Sequence, residues 1–356
     1  MPQAAWWLIA AVLVAPLAAF PPETGIGLMQ AKNVILIVLG LAVVIWRVPN
    51  PWVQGFAAWC VLAFLDSGLR VWALTGVLAV LAWCLLYAEA ARLTETWWRK
   101  VRLAIAVAAL FQIAWVGLQA AGIDPVFTGA PSYPSSAVRG GPPPLIGWFG
   151  NPMDMALFLG LSLPALAALS PWLLAAGAVG ILALGATVGA VALAIAALWR
   201  APTWRWRAAV AVMLLLVGAW FAAVRDPQGP GLRPLVWTQA AVLAAQRPVF
   251  GWGPNALGYR ILLIHPATKE RWNFLFNEWL QASMELGVPA AVLAGGWLVH
   301  TGLRLRGRWA RTGEALPACL ILLAASTFSI PFRIGPTALL AALYLGRLEA
   351  VAREAE

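Results

Sequence analysis

Apolar runs of membrane-crossing length recur along almost the whole of this chain. A hydrocarbon layer about 30 Å thick takes roughly 20 apolar residues in a helix, and a backbone inside it must satisfy its own hydrogen bonds. Twelve candidate spans stand out, at about 4–20, 33–46, 51–65, 71–88, 103–121, 153–169, 172–184, 187–199, 208–224, 284–303, 315–331 and 335–351. Only 11% of the 356 residues are charged, against roughly 25% in soluble globular chains. A soluble protein with a very large core would not need charge excluded from one run after another. The expected fold is therefore all-α: a polytopic membrane protein with about 12 transmembrane helices and a partly helical external loop.

The first run, from Ala4 to Phe20, resembles the apolar part of a signal peptide. No Lys or Arg precedes Lys32, so it lacks the basic flank and reads as the first membrane helix. The stretch from Trp172 to Trp199 is continuous, too long for one untilted span and too short for two. It predicts two half-length helices meeting near Gly185 to Gly189, a break permitted where protein or a wet cavity surrounds it. Cys60, Cys84 and Cys319 all fall within apolar runs and act there as small hydrophobes. Two distant histidines and no Cys/His cluster argue against a structural metal, and no cofactor is expected.

The net charge of +10 would point to nucleic acid in a soluble protein; here it reports topology, and no nucleic-acid partner is expected. Basic residues favour the cytoplasmic side in short loops. With both termini inside, fourteen of the 24 basic residues are cytoplasmic, in short clusters such as Arg99, Lys100, Arg102 and Arg304, Arg306, Arg308. The organisation that follows is N-terminal membrane helices over 1–121, then a Pro/Gly-rich external loop over 122–152. Membrane helices with the broken pair fill 153–225, a large external loop 226–283, and the last membrane helices 284–356.

Three constellations carry candidate chemistry. In GLRPLVWTQAAVLAAQRPVFGWGPN, Gly231 to Asn255, Pro234 suits the first position of a helix running to Gln246. Arg233 then stands at the helix entrance, a place that favours phosphate, with Arg247 at the far end. Gly251 and Gly253 permit close backbone approach. In FNEWLQASMELG, Phe276 to Gly287, a helix would align Asn277, Gln281 and Glu285 on one face, with Glu278 a step round. In GWFGNPMDM, Gly147 to Met155, Asn151 as cap, Pro152 and Asp154 specify a helix start. Arg139, in the loop before it, is a further phosphate-contact candidate. His265, in ILLIHPATKER, has the basicity of a general base. On the residues alone, each group also reads as ordinary structure: a cap, a solvated face or snorkelling arginines.

The order of these three constellations resembles the O-antigen ligase and O-antigen polymerase superfamily of bacterial multi-spanning glycosyltransferases. The segments that carry the resemblance are GWFGNP with MDMALFLGLSLPALAAL, GLRPLVWTQAAVLAAQRPVFGWGPN, and FNEWLQASMELGVP, over roughly residues 145 to 330. The resemblance implies transfer or polymerisation of glycan from a polyprenyl-diphosphate-linked donor at the outer face of the bacterial cytoplasmic (inner) membrane. The acceptor would be another glycan, lipid A-core or protein. It implies metal-independent chemistry: arginines neutralise the departing diphosphate and a base takes the acceptor's proton. Arg233 matches the family's diphosphate-holding arginine. Arg139, Arg247, Asn277 and Gln281 are the other substrate-binding candidates, and Glu278 and His265 the candidate bases.

Two positions depart from the family pattern. Its catalytic His, before Asn-Glu, is here Phe276, followed by Asn277 and Glu278. Its Ser/Thr-Arg-Gly turn between the half-helices is here Thr187, Val188, Gly189. The alternatives that stay open are a non-catalytic lipid-glycan-binding or assembly protein of the membrane, and a transporter or flippase.

Overall fold

The computed structural model describes residues 2–14, 50–67, 70–123, 145–200, 232–257, 263–264, 271–272 and 274–354. They form a helical bundle: α1 (Pro2–Val14), α2 (Pro51–Asp66), α3 (Arg70–Ala90), α4 (Glu95–Ala120), α5 (Pro152–Leu169), α6 (Pro171–Leu184), α7 (Thr187–Arg200), α8 (Leu232–Gln246), α9 (Glu278–Leu286), α10 (Val288–Arg304), α11 (Ala315–Phe328) and α12 (Gly335–Arg353). A two-residue antiparallel pair, β1 (Leu263–Ile264) and β2 (Arg271–Trp272), is the strand structure among the described residues.

Three of the described helices are long and apolar enough to cross a membrane: α3 from Ala73, α4 and α5. The expected spans at 33–46 and 208–224 lie outside the described residues. At about 1.5 Å per residue, the 14 residues of α6 and of α7 each cover only about 21 Å. Gly185, in the left-handed region, ends α6, and the chain turns back so that a side-chain atom on Gly189 would meet Ile181. At the other end of the pair, the Arg200 guanidinium donates to the Ala167 carbonyl, just before α6 begins. The continuous apolar stretch is thus a hairpin of two short helices, as its length predicts.

Helix starts follow capping chemistry. Asn50, Asn151 and Ser170 each accept a hydrogen bond from the backbone N–H two residues on, at 2.9, 2.8 and 3.2 Å. Each is followed by Pro at the first helical position, where the missing N–H costs nothing. Two helices are buried nearly all round and form the centre, α5 from Asp154 to Ala167 and α12 from Gly335 to Ala352. Such all-round apolarity marks an interior helix. Around them, α3 and α11 pack on α12, while α4, α6, α7 and α11 pack on α5.

Two buried ionic groups mark opposite ends of this bundle. Near the end of α12, Glu349 accepts from Arg304 (2.9 Å), Asn50 (2.9 Å) and Tyr87 (3.0 Å), joining α10, the cap of α2, and α3. Ahead of α12, in the short turn after α11, Arg333 meets Glu278 and Glu285 of α9.

Candidate functional site

The second end is built from two of the three sequence constellations, joined through their backbones. The turn after α8 lies along the end of α9. Trp252 N–H donates to Met284 O (3.0 Å), Gly253 N–H to Glu285 O (2.9 Å), and Val288 N–H to Pro248 O (2.8 Å). Glycine is required by this approach: a Cβ on Gly251 would stand 2.4 Å from the Glu285 backbone, and one on Gly287 1.9 Å from Val249 O. Trp59 of α2 donates to Leu286 O at 2.8 Å and stacks on Phe250 at 5.0 Å. The close backbone approach expected at Gly251 and Gly253 is therefore to α9.

The joint fixes one carboxylate in full. Glu285 is 1% exposed. It accepts from Arg333 Nη2 (2.7 Å), Asn255 N (2.9 Å), Gln281 Nε2 (3.1 Å) and Leu257 N (3.4 Å). Glu278 lies seven residues earlier, within about 20° on the same helix face at about 100° per residue, and reaches the same guanidinium. Its Oε1 accepts from Arg333 Nε at 3.2 Å. Its Oε2 is buried. Burial pushes the Glu278 carboxyl above the usual range; Arg333 and the Phe332 backbone N–H pull it back, and Glu285 adds to the rise. Burial works against the Arg333 charge, but the two carboxylates more than offset it and hold the guanidinium protonated.

This cluster closes one end of a cavity of about 430 Å³. The cavity runs between α2, α3, α9, α10, α11 and α12, and its walls are mainly apolar and aromatic. Its polar lining includes Glu278, Glu285, Arg333, Asn255 and Thr75. Arg333 is the one cationic side chain that lines it among the described residues. Apolar walls with a few convergent polar groups are the usual make-up of a ligand site, and a carboxylate whose pKa is raised by burial is suited to acid–base work.

The sequence-predicted residues divide as follows. Glu278 lines the cavity. Gln281 stands behind it, with Oε1 accepting from Leu275 N (3.1 Å) and Nε2 holding Glu285. Asn277 is not part of a helical stripe: its backbone is extended and it caps α9, accepting from Leu280 N at 3.0 Å. Phe276, at the position of the family's His, is also ahead of the helix, with φ of 51°. Arg247 pairs with Asp66 at the end of α2 (3.2 Å) and lies over the Trp252 ring. The backbone of Arg233 is in the first turn of α8; its side chain lies outside the described residues, as do Arg139 and His265.

Sequence reasoning missed Arg333. The available signal was an arginine in a short apolar turn, IPFRIGP, with two carboxylates seven residues apart to receive it. Among the described residues, no group of three or more His, Cys, Asp or Glu is placed to hold a metal ion. In the third constellation, buried glutamines of α4 hold the loop. Gln119 Oε1 accepts from Ile146 N (3.0 Å) and Gly147 N (2.8 Å), and Gln112 Oε1 from Trp148 N (3.1 Å). No known protein family and no curated protein matches this chain.

Proposed function

We propose that this chain is a membrane glycosyltransferase of the O-antigen ligase and polymerase type, with Glu278 as the base that takes the acceptor hydroxyl's proton. The observation that carries the reading is Glu278 itself: a buried carboxylate, its pKa raised by burial, paired with Arg333 at the polar end of an apolar-walled cavity. The ordered resemblance of GWFGNP, the Arg233 segment and FNEWLQASMELG supplies the reaction class. In this reading the enzyme has about twelve spans with both termini cytoplasmic, and it works at the outer face of the bacterial inner membrane.

The roles then separate. Glu278 removes the proton as the acceptor oxygen attacks the anomeric carbon, and the bond to the polyprenyl diphosphate breaks. Arg333 and Glu285 fix the orientation of Glu278. Arg233, at the entrance of α8, neutralises the departing diphosphate.

The test is transfer by the purified protein in proteoliposomes, with polyprenyl-diphosphate-linked oligosaccharide as donor. Lipid A-core, a second lipid-linked unit or a peptide serves as acceptor in parallel arms. Glu278→Gln is expected to lower the rate by at least about 100-fold, the usual worth of a general base. Arg233→Lys keeps the charge but loses the planar fork, and is expected to impair transfer. Full activity in both variants would overturn these assignments. Phe276 in place of the family's His favours a second reading, a non-catalytic glycolipid-binding relative, and absence of transfer in every arm of the unaltered protein would select it.

A further inference from the structure

At the end of the bundle away from the cavity's polar groups, one basic side chain is held differently from its neighbours. Arg92, Arg99, Arg102 and Arg347 each meet a carboxylate there, on Glu89, Glu95, Glu314 and again Glu95. Lys100 is held by rings. Its ammonium lies 4.0 Å from the centre of the Trp97 ring and 5.3 Å from that of Trp6. The two indoles meet edge to face at 5.4 Å, one from α4 and one from α1, which packs along it. A ring attracts a cation through its quadrupole but has no net charge, so Lys100 is fixed in place and keeps its positive charge. Rings on one side leave the ammonium's remaining N–H donors for an anion. The group also faces lipid. α4 is long and apolar enough to cross a membrane. At about 100° per residue, Val107 and Phe111 lie within about 20° of Lys100 around the helix; both are exposed, as is Leu103. Lys100 begins this apolar stripe. Trp6 and its neighbour Trp7 are 57% and 50% exposed, and exposed tryptophans gathered at one level mark the head-group layer of a membrane.

We infer that Lys100, Trp97 and Trp6 bind the head group of an anionic phospholipid, with its acyl chains along the stripe of Leu103, Val107 and Phe111. The preference for an anionic lipid follows from the cradle itself. A choline head brings a quaternary ammonium, which aromatic rings attract. Here the rings already hold Lys100, whose charge repels a second cation. The phosphate of phosphatidylglycerol meets the ammonium with no cation of its own. This inference is independent of the glycosyltransferase reading and of which face of the membrane this end occupies.

The experiment is native mass spectrometry of the full chain in detergent. It is titrated with phosphatidylglycerol or phosphatidylcholine of identical acyl chains, and the dissociation constant of the first bound lipid is read. The unaltered protein is expected to hold phosphatidylglycerol more tightly. Lys100→Gln should weaken phosphatidylglycerol about fivefold, the worth of one basic side chain at an anionic surface, and should narrow or reverse the preference by freeing the rings for choline. Lys100→Arg should retain the binding. Trp97→Leu removes the ring and should weaken phosphatidylglycerol as well. Arg99→Gln, one residue away, should change little, because Arg99 is already paired with Glu95. Thermal unfolding midpoints without added lipid show that each variant folds; should Trp97→Leu not fold, the two Lys100 variants decide. Equal binding of the two lipids by the unaltered protein overturns the inference, as does phosphatidylglycerol binding indifferent to Lys100→Gln or to a folded Trp97→Leu. A loss in Arg99→Gln as large as that in Lys100→Gln overturns it too, since that marks a diffuse basic surface and not a site.

Discussion

Arg333 is the residue whose loss should cost the bundle most. It is the charge partner of two buried carboxylates, and removing one member of a buried ion group strands the others without compensation. Arg333→Met is expected to destabilise the protein by about 3–5 kcal/mol, read as denaturant unfolding in detergent. Glu278→Gln should cost far less, because Glu285 still pairs with the guanidinium. The pH dependence of that pair of proteins has a definite sign. A carboxyl whose folded value is raised contributes stability at low pH and loses it as pH climbs from the ordinary carboxylate value, about 4.3, through the raised one. Relative to Glu278→Gln, the unaltered protein should therefore become less stable as pH rises across that window; a flat difference would show that Glu278 titrates normally. At this scale the sequence was half legible. Glu278 and Glu285 share a face by their spacing of seven, but their partner sits 48 residues beyond Glu285 in a three-residue turn, and no local period connects them.

Among the elements, the joint between the turn after α8 and the end of α9 depends on glycines whose neighbours leave no room. Gly287 has φ of +81° and Val249 O where a Cβ would go, whereas Gly295 in α10 meets nothing within 4 Å. Gly287→Ala is expected to destabilise by about 1–3 kcal/mol or more, and Gly295→Ala to be neutral or stabilising by about 0.5–1 kcal/mol. Equal midpoints for the two variants would show that the joint yields. The boundary written in the Asn151-Pro152 cap was readable, and Gly185 breaks the apolar stretch where its length requires; Ser170-Pro171 starts α6 by the same chemistry. The start of α8 falls at Leu232, two residues before the Pro234 start that its sequence suggests. The stripe through Asn277 failed for a physical reason. Asn bonds its side chain to the backbone and so ends a helix more readily than it continues one.

For the whole molecule, the distribution of charge supports the proposed direction in the membrane. Arg92 after α3, Arg102 in the first turns of α4, Arg304 closing α10 and Arg347 near the end of α12 pair with Glu89, Glu314, Glu349 and Glu95. The last three pairs link the ends of α4, α10, α11 and α12 at the side of the bundle away from Arg333, and the first stays at the end of α3. Basic residues gathered at one end favour the cytoplasmic side, and the proposed topology accordingly turns the cavity's polar end outward. Substituted-cysteine labelling tests this directly, since Cys60, Cys84 and Cys319 are buried and give little background. Cysteine at Ser136 or Thr268, in the two long loops, is expected to react with an impermeant reagent added to intact spheroplasts. Cysteine at Thr94, exposed between α3 and α4 beside the Arg92 and Arg99 end, is expected to react only after permeabilisation. The reverse pattern would place Glu278 on the cytoplasmic side, where a donor displayed outside could not reach it, and the glycosyltransferase reading would fall with the topology.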